Sequence, residues 1–102
     1  MVTNYQRGYA KELEVVNSFR KQNLISYRSA GSHTPVDVTT LFPESILILQ
    51  LKRAKKKGYN YTKEIEDFKN KTKYIINPTV IKEFWVYRDY EKKGKKWDKT
   101  LC

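Results

Sequence analysis

The sequence predicts an α/β (α+β) domain in which a central mixed β-sheet is flanked by helices. Apolar residues recur at helical spacing in two segments, and runs rich in β-branched and aromatic residues lie between and after those segments. The predicted order is helix, strand, strand, strand, helix, strand, and the C-terminal segment is either a short final strand or a frayed tail. We expect residues 1–102 to form a single domain.

A stripe of apolar residues at helical spacing predicts the first helix over residues 8–21: Tyr9, Leu13, Val16 and Phe19. Glu12 shares the face of this stripe, where a carboxylate costs free energy unless something pairs with it. Glu12 therefore either snorkels or pairs with a lysine, or it is an acid that faces a metal site. The helix is expected to end at Gln22 and Asn23, because asparagine tolerates the left-handed conformation of a C-terminal cap.

Three strands should follow this helix. Residues 24–29 form the first, and a loop that contains Ser32 and His33 leads into the second, over residues 36–41. A turn with Pro43 then leads into the third strand, residues 46–51, which is apolar almost throughout. Strands of this composition are typically covered on both faces.

The hairpin formed by the second and third strands places polar residues side by side at one end. Asp37, at the start of one strand, should lie beside Gln50 and Lys52, at the end of the other. Gln50 and Lys52 are two residues apart, so they project from the same face of the sheet. An apolar strand that ends in this way predicts a site at the rim of the sheet.

The remaining elements are predicted from similar patterns. A stripe that begins at Tyr61 and continues to Ile75 predicts the second helix, which Pro78 should stop. Residues 80–90 should form a further strand, and residues 97–101 are the candidate final strand.

Charge is distributed unevenly along the chain. The whole chain has a net charge of +10; residues 1–50 carry five basic and four acidic residues, and residues 51–102 carry sixteen and seven. A basic surface of this kind favours polyanions, above all the phosphate backbone of nucleic acid. Arg53, Lys55, Lys56 and Lys57 directly follow the predicted site, so we interpret them as a phosphate track rather than as a solvated charge run.

Other classes are disfavoured by composition. No apolar run is long enough to span a membrane, and no secretory signal is expected, so we predict an intracellular, cytoplasmic protein. Cys102 is the only cysteine and His33 the only histidine, so the sequence contains no zinc-type ligand cluster. A catalytic triad is not credible either, since His33 directly follows Ser32.

The polar residues at the rim fit a hard divalent cation. Mg²⁺ prefers oxygen ligands and binds through one or two carboxylates together with substrate phosphate. Asp37 offers a carboxylate, Gln50 an amide oxygen and Leu51 a backbone carbonyl, and Glu12 could add a carboxylate directly or through water. Lys52 could then hold the water that attacks phosphorus and counter the charge that develops on the phosphate.

The pattern Val36-Asp37, twelve residues, then Gln50-Leu51-Lys52 resembles the PD-(D/E)XK nuclease motif. With Gly8, Glu12 and the string Arg28-Ser29-Ala30-Gly31-Ser32, the region over residues 5–56 resembles the archaeal Holliday junction resolvases.

This resemblance implies a restriction-endonuclease-like core and a Mg²⁺-dependent endonuclease, with Mn²⁺ able to substitute. By position, it implies metal ligands at Asp37 and Gln50, a catalytic Lys52, an acidic helper at Glu12, and phosphate contacts from Arg28 and Ser32. It also implies a homodimer that acts on branched DNA such as a four-way junction, because cutting two strands needs two sites.

Gln50 is the main departure from the resembled pattern, which usually has Glu at this position. An amide oxygen lacks the full negative charge of a carboxylate and should hold a metal more weakly. Two alternatives therefore stand beside a junction resolvase. One is a nuclease of the same fold that cuts flaps, nicks or duplex DNA, and the other is a basic nucleic-acid-binding module without catalysis.

Overall fold

The computed structural model describes residues 4–29, 34–92 and 96–102. These residues contain two helices and a five-stranded sheet, in chain order α1 (Asn4–Arg20), β1 (Ile25–Arg28), β2 (Val38–Leu41), β3 (Ile46–Ala54), α2 (Thr62–Thr72), β4 (Val80–Arg88) and β5 (Trp97–Leu101). The predicted order is confirmed, and the candidate final strand is formed. Within the described ranges no helix is long and apolar enough to cross a membrane.

The sheet is mixed, as the sequence predicts. Its strand order is β1-β2-β3-β4-β5, and the β1–β2, β2–β3 and β4–β5 pairs are antiparallel. The β3–β4 pair is parallel, with Ile46 opposite Val80 and Ala54 opposite Arg88. A parallel pair needs a crossover connection, and α2 provides it.

Two apolar cores lie on opposite sides of the sheet. One contains Val15 and Val16 of α1, which pack with Leu49 of β3 and its neighbours. The other contains Phe68 of α2, which packs with Phe84 of β4. The apolar β3 is thus covered on both faces, in agreement with the composition of its sequence.

The first helix begins at Asn4, four residues before the predicted start, and it ends at Arg20. Asn23 has a φ of 64°, so it adopts the left-handed conformation that was expected after the helix. The backbone N–H of Leu24 donates to the Phe19 carbonyl at 3.3 Å and closes the turn that leads into β1.

The second helix is shorter than its apolar stripe indicated. It ends at Thr72, whose buried hydroxyl donates to the Phe68 carbonyl at 2.8 Å. The stripe continues to Ile75, but the chain has left the helix there, and neighbouring Tyr74 and Ile76 are 81% and 87% exposed. The side chain of Asn77 then accepts hydrogen bonds from Thr79 and forms the turn into β4.

The third strand is longer than predicted and runs to Ala54 instead of Leu51. Its final residues, including Lys52 and Arg53, are charged and gave no apolar signal in the sequence. They remain in the strand because the parallel pairing with β4 continues to Arg88.

Candidate active site

Asp37 lies directly before β2, between the ends of β1 and β3. Its backbone N–H donates to the Leu49 carbonyl at 2.7 Å, and its own carbonyl accepts from the Ser29 N–H at 3.0 Å. The carboxylate reaches further along β3, where Oδ2 accepts from the Leu51 N–H at 2.8 Å. Three hydrogen bonds therefore fix both the backbone and the side chain of Asp37 at the rim of the sheet.

The Leu51 carbonyl faces the same gap as the Asp37 side chain. The N–H and C=O groups of one residue in an antiparallel pair point to the same neighbouring strand, and the Leu51 N–H points at Asp37. The carbonyls of Leu49 and Arg53, on either side along β3, accept from the Asp37 N–H and the Tyr61 hydroxyl. The described residues supply no donor to the Leu51 carbonyl between them. An oxygen ligand is therefore available beside the carboxylate.

Gln50 and Lys52 flank Leu51 and are both partly buried. The alternation of β3 directs both side chains to the face opposite Leu49 and Leu51, so they share a face. Neither side chain has a hydrogen-bond or ion-pair partner among the described residues. The positive charge of Lys52 lowers the pKa of Asp37, which places the two groups in electrostatic reach of each other.

Glu12 belongs to the same electrostatic cluster. Its Oε1 accepts from Arg28 Nε at 3.1 Å, and the Arg28 guanidinium carbon lies 3.9 Å from the centre of the Tyr9 ring. The negative charge of Asp37 raises the pKa of Glu12. The sequence left open whether Glu12 is paired, and the structure gives it an arginine partner rather than the lysine considered.

Both carboxyl groups are held in a setting that disfavours their charge. Burial is the largest cause that raises the pKa of Asp37, and the Leu51 N–H and the charges of Lys52 and Arg28 only partly oppose it. Burial also raises the pKa of Glu12, with a further contribution from Asp37, against the charge and hydrogen bond of Arg28. A cation bound between the two groups would relieve this cost.

The donor set fits Mg²⁺ better than a softer metal. In the part of the chain that the structure describes, no three His, Cys, Asp or Glu side chains form a metal-holding group. Mg²⁺ does not need such a group, because it keeps several waters and binds through one or two carboxylates and substrate phosphates. Asp37 and the Leu51 carbonyl lie side by side as candidate ligands, and Glu12 is in electrostatic reach of Asp37. The Gln50 amide has no contact with these groups among the described residues, so its predicted role as a ligand stays a prediction.

The predicted phosphate contacts fall into two groups. Lys55, Lys56 and Lys57 are exposed, and together with Lys52 they line a groove of about 730 Å³ beside the site. Arg53, by contrast, lies in β3, and its Nε donates to both oxygens of Asp89 at 2.6 and 2.7 Å.

Arg28 forms an ion pair with Glu12, so any contact of Arg28 with a phosphate would be made while it is paired with this carboxylate. Ser32 and His33 lie outside the described residues. The sequence did not single out Tyr9 or Asp89 as neighbours of the site. Asp89 lies 36 positions from Arg53, and no local pattern signals such a contact.

The likeness of this chain to known proteins is one of structure. No family model and no curated protein matches this sequence. Among solved structures, the chain is similar to Hjc, a Holliday junction resolvase from the archaeal hyperthermophile Archaeoglobus fulgidus. The TM-score is 0.62 and the identity 16%, over 90% of this chain and 73% of that one. The chain thus has a Holliday junction resolvase-like fold.

Proposed function

We propose that this chain is a metal-dependent, structure-selective DNA endonuclease that hydrolyses phosphodiester bonds in four-way (Holliday) junctions. The observation that carries the proposal is the fixed Asp37 carboxylate beside the Leu51 carbonyl, at the end of a strand that also carries Lys52. The similarity in fold to a Holliday junction resolvase supports the same assignment.

The metal of this proposal is Mg²⁺, with Mn²⁺ as a substitute. Asp37, Gln50 and the Leu51 carbonyl would hold it, and Glu12 would contribute directly or through water. When bound, such an ion neutralises charge on the phosphate and lowers the pKa of a bound water.

The remaining roles belong to the side chains of the protein. Lys52 would position the attacking water and counter the negative charge that develops on the phosphate oxygens. Lys55, Lys56 and Lys57 would hold the DNA backbone along the groove that they line. Arg28 keeps Glu12 oriented, so that it can act on the metal or its water.

A four-way junction requires two cuts, so the proposal includes a homodimer that brings two such sites to one DNA molecule. Because the proposed substrate is DNA, the protein would act inside the cell. The site of each protomer would face a different strand of the same junction.

The experiment is a cleavage assay with a labelled four-way junction, in the presence of Mg²⁺ and then of a chelator. We expect cleavage with the metal and none without it. We expect Asp37→Ala to abolish cleavage while DNA binding stays largely intact. Glu44→Ala is the matched control, because Glu44 is an exposed carboxylate in the turn before β3. If Asp37→Ala still cut, the site assignment would be wrong.

Gln50 favours a second candidate, a basic DNA-binding module of the same fold without catalysis. An amide at this position weakens metal binding, whereas Asp37, Lys52 and Glu12 retain the rest of the arrangement. Binding of the junction without cleavage at any Mg²⁺ or Mn²⁺ concentration would select this candidate. Cleavage of flaps, nicks or duplex in preference to four-way junctions would select a nuclease with a different substrate.

A further inference from the structure

One half of the sheet is only partly covered on the side of α1. Because α1 packs against β1, β2 and β3, it leaves a cavity of about 560 Å³ over β4 and β5. Alternating positions of these two strands project on this side, and we call them the β4–β5 face: Trp85 and Tyr87 of β4, and Trp97 and Lys99 of β5. None of these residues takes part in the site described above.

The aromatic rings of the β4–β5 face form a connected row. The ring of Trp97 lies 5.5 Å from that of Trp85 and 5.0 Å from that of Tyr87, both edge to face. Trp85 is almost fully buried and supports the row, whereas Trp97 and Tyr87 are partly exposed. Trp97, held against the other two rings, offers a partly exposed ring on which a flat group can stack.

Lysine side chains surround this row. Lys99 Nζ lies 4.1 Å from the centre of the Trp85 ring, and Lys11 and Lys96 lie 3.6 and 5.8 Å from that of Tyr87. Among the described residues, neither Lys96 nor Lys99 has a carboxylate partner. Their charges are therefore available to an anion that approaches the rings.

The carboxylates near this face are already engaged. Glu83 accepts a hydrogen bond from the Trp85 indole at 2.8 Å, and Glu14 pairs with Lys11 at 2.8 Å. The indole N–H is neutral, so Glu83 keeps its negative charge, but Lys11, Lys96 and Lys99 outnumber the two carboxylates and leave the face with a positive charge.

The β4–β5 face borders the end of the strand that carries the candidate active site. The guanidinium carbon of Arg53 lies 5.9 Å from the centre of the Tyr87 ring, and Arg53 directly follows Lys52 in β3. Because Lys52 and Arg53 are consecutive in β3, their side chains project from opposite faces of the sheet, so a DNA strand that leaves the site would pass around the end of β3 to reach Tyr87 and Trp97.

We propose that the β4–β5 face binds an unpaired segment of the DNA substrate, with a base stacked on Trp97 and phosphates held by Lys96 and Lys99; Tyr87, whose ring is covered by Lys11, supports Trp97. This rests on the proposed function, and it adds unpaired bases at the branch as a feature that the protein recognises. Bases in a continuous duplex are stacked on each other and cannot use this ring, whereas every unpaired base offers a flat face. Aromatic residues on an open sheet surface, flanked by cations, are suited to this mode of binding.

The test is binding without cleavage, in the presence of a chelator. The two tryptophans of the chain both belong to the β4–β5 face, so quenching of their fluorescence reports contact with it directly. We expect oligodeoxythymidine of about 20 nucleotides to quench this fluorescence, and Trp97→Leu to weaken its binding about tenfold. We expect Trp97→Leu to change the affinity for continuous duplex less than about twofold, because stacking on an aromatic ring needs an unpaired base.

The variants Trp97→Tyr and Lys99→Gln keep the proposal testable if Trp97→Leu does not fold. Trp97→Tyr should retain most of the binding, and Lys99→Gln should reduce the dependence of binding on salt. The matched controls are Tyr74→Leu, a ring 81% exposed with Lys73 Nζ at 5.2 Å from its centre, and Lys63→Gln. Both controls should bind as the unmodified protein does.

Equal loss of duplex and single-strand binding in Trp97→Leu, or no loss, would overturn the proposal. A change in oligomeric state, measured by light scattering, would also overturn it and assign the face to a protein contact. These outcomes are independent of cleavage. A protein that binds oligodeoxythymidine through Trp97 but never cuts would contradict the proposed function alone.

Discussion

At the scale of single residues, Asp37 sits where function and stability conflict. The three hydrogen bonds that fix it hold its carboxylate in a partly buried position, where ionisation is disfavoured. Without a bound cation, the ionised Asp37 carboxylate thus lowers the stability of the folded protein.

We therefore predict that Asp37→Asn raises the melting temperature of the metal-free protein at neutral pH. The amide oxygen can still accept from the Leu51 N–H, and the buried charge is gone. Cleavage should fall by at least about 100-fold, because a metal ligand is lost. Thermal denaturation with a chelator and with Mg²⁺ checks this, since Mg²⁺ should stabilise only the unmodified protein. A lower melting temperature in Asp37→Asn with a chelator would contradict the prediction.

The same groups predict a pH dependence of stability. The pKa values of Asp37 and Glu12 are raised by folding above their ordinary values of 3.8 and 4.5. The folded protein therefore binds more protons than the unfolded chain, and this contribution is fully present below the ordinary pKa values. It should be lost as the pH rises through the raised pKa values. In urea unfolding of the metal-free protein, the free energy of unfolding should fall less over this pH range in Asp37→Asn than in the unmodified protein.

Gln50 determines how much metal the site needs. We predict that Gln50→Glu keeps or raises activity at low Mg²⁺, with half-maximal cleavage at a concentration about tenfold lower, because ligand charge strengthens the binding of hard cations. The measurement is the rate of junction cleavage against Mg²⁺ concentration. A folded but inactive Gln50→Glu protein would argue against a ligand role for Gln50.

The sequence could indicate the position of Asp37 beside β3, but it could not indicate the partners of Glu12 and Arg53. Asp37 directly precedes β2, Leu51 lies in β3, and a short turn joins these two strands, so their proximity follows from the hairpin alone. The Arg28–Glu12 pair instead depends on how α1 packs on β1, and tertiary packing of this kind leaves no local pattern.

At the scale of elements, periodicity predicted the order and the fold class, and the errors lie at the ends of the elements. Apolar spacing continued past Thr72 although the helix stops there, and the turn that Asn77 forms with Thr79 comes only five residues later. The last residues of β3 are charged, and their strand conformation depends on the neighbouring β4, which a local pattern cannot show.

The packing of α2 on the sheet depends strongly on Phe68. Its side chain is fully buried and contacts the ring of Phe84, with the ring centres 6.4 Å apart. We predict that Phe68→Ala lowers the free energy of unfolding by about 3–5 kcal/mol, because it leaves a cavity in the core. Urea unfolding measures this. Tyr74→Ala, at an exposed ring, is the control and should change the value by less than about 0.5 kcal/mol.

At the scale of the whole molecule, the net charge of +10 makes salt dependence the main signature of DNA binding. We predict that the triple variant Lys55→Gln, Lys56→Gln, Lys57→Gln reduces the slope of log affinity against log salt concentration by about 2–3. The measurement is junction binding in a salt titration with a chelator present.

The control for this triple variant removes the same charge from another surface: Lys63→Gln, Lys69→Gln and Lys71→Gln, all on exposed positions of α2. Because these positions lie outside the groove, we expect a smaller change in the slope. Equal changes in both triple variants would mean that binding depends on overall charge and not on the groove.

The parallel β3–β4 pair at the centre of the sheet has a consequence for the kinetics of folding. Ile46 meets Val80 across 34 positions of chain, whereas the β2–β3 hairpin closes over a few residues. Loops of that length close slowly, so docking of β4 should limit the folding rate, while the hairpin that carries Asp37 and Lys52 forms early. During folding, Asp37 and Lys52 would thus be brought together before β4 completes the sheet.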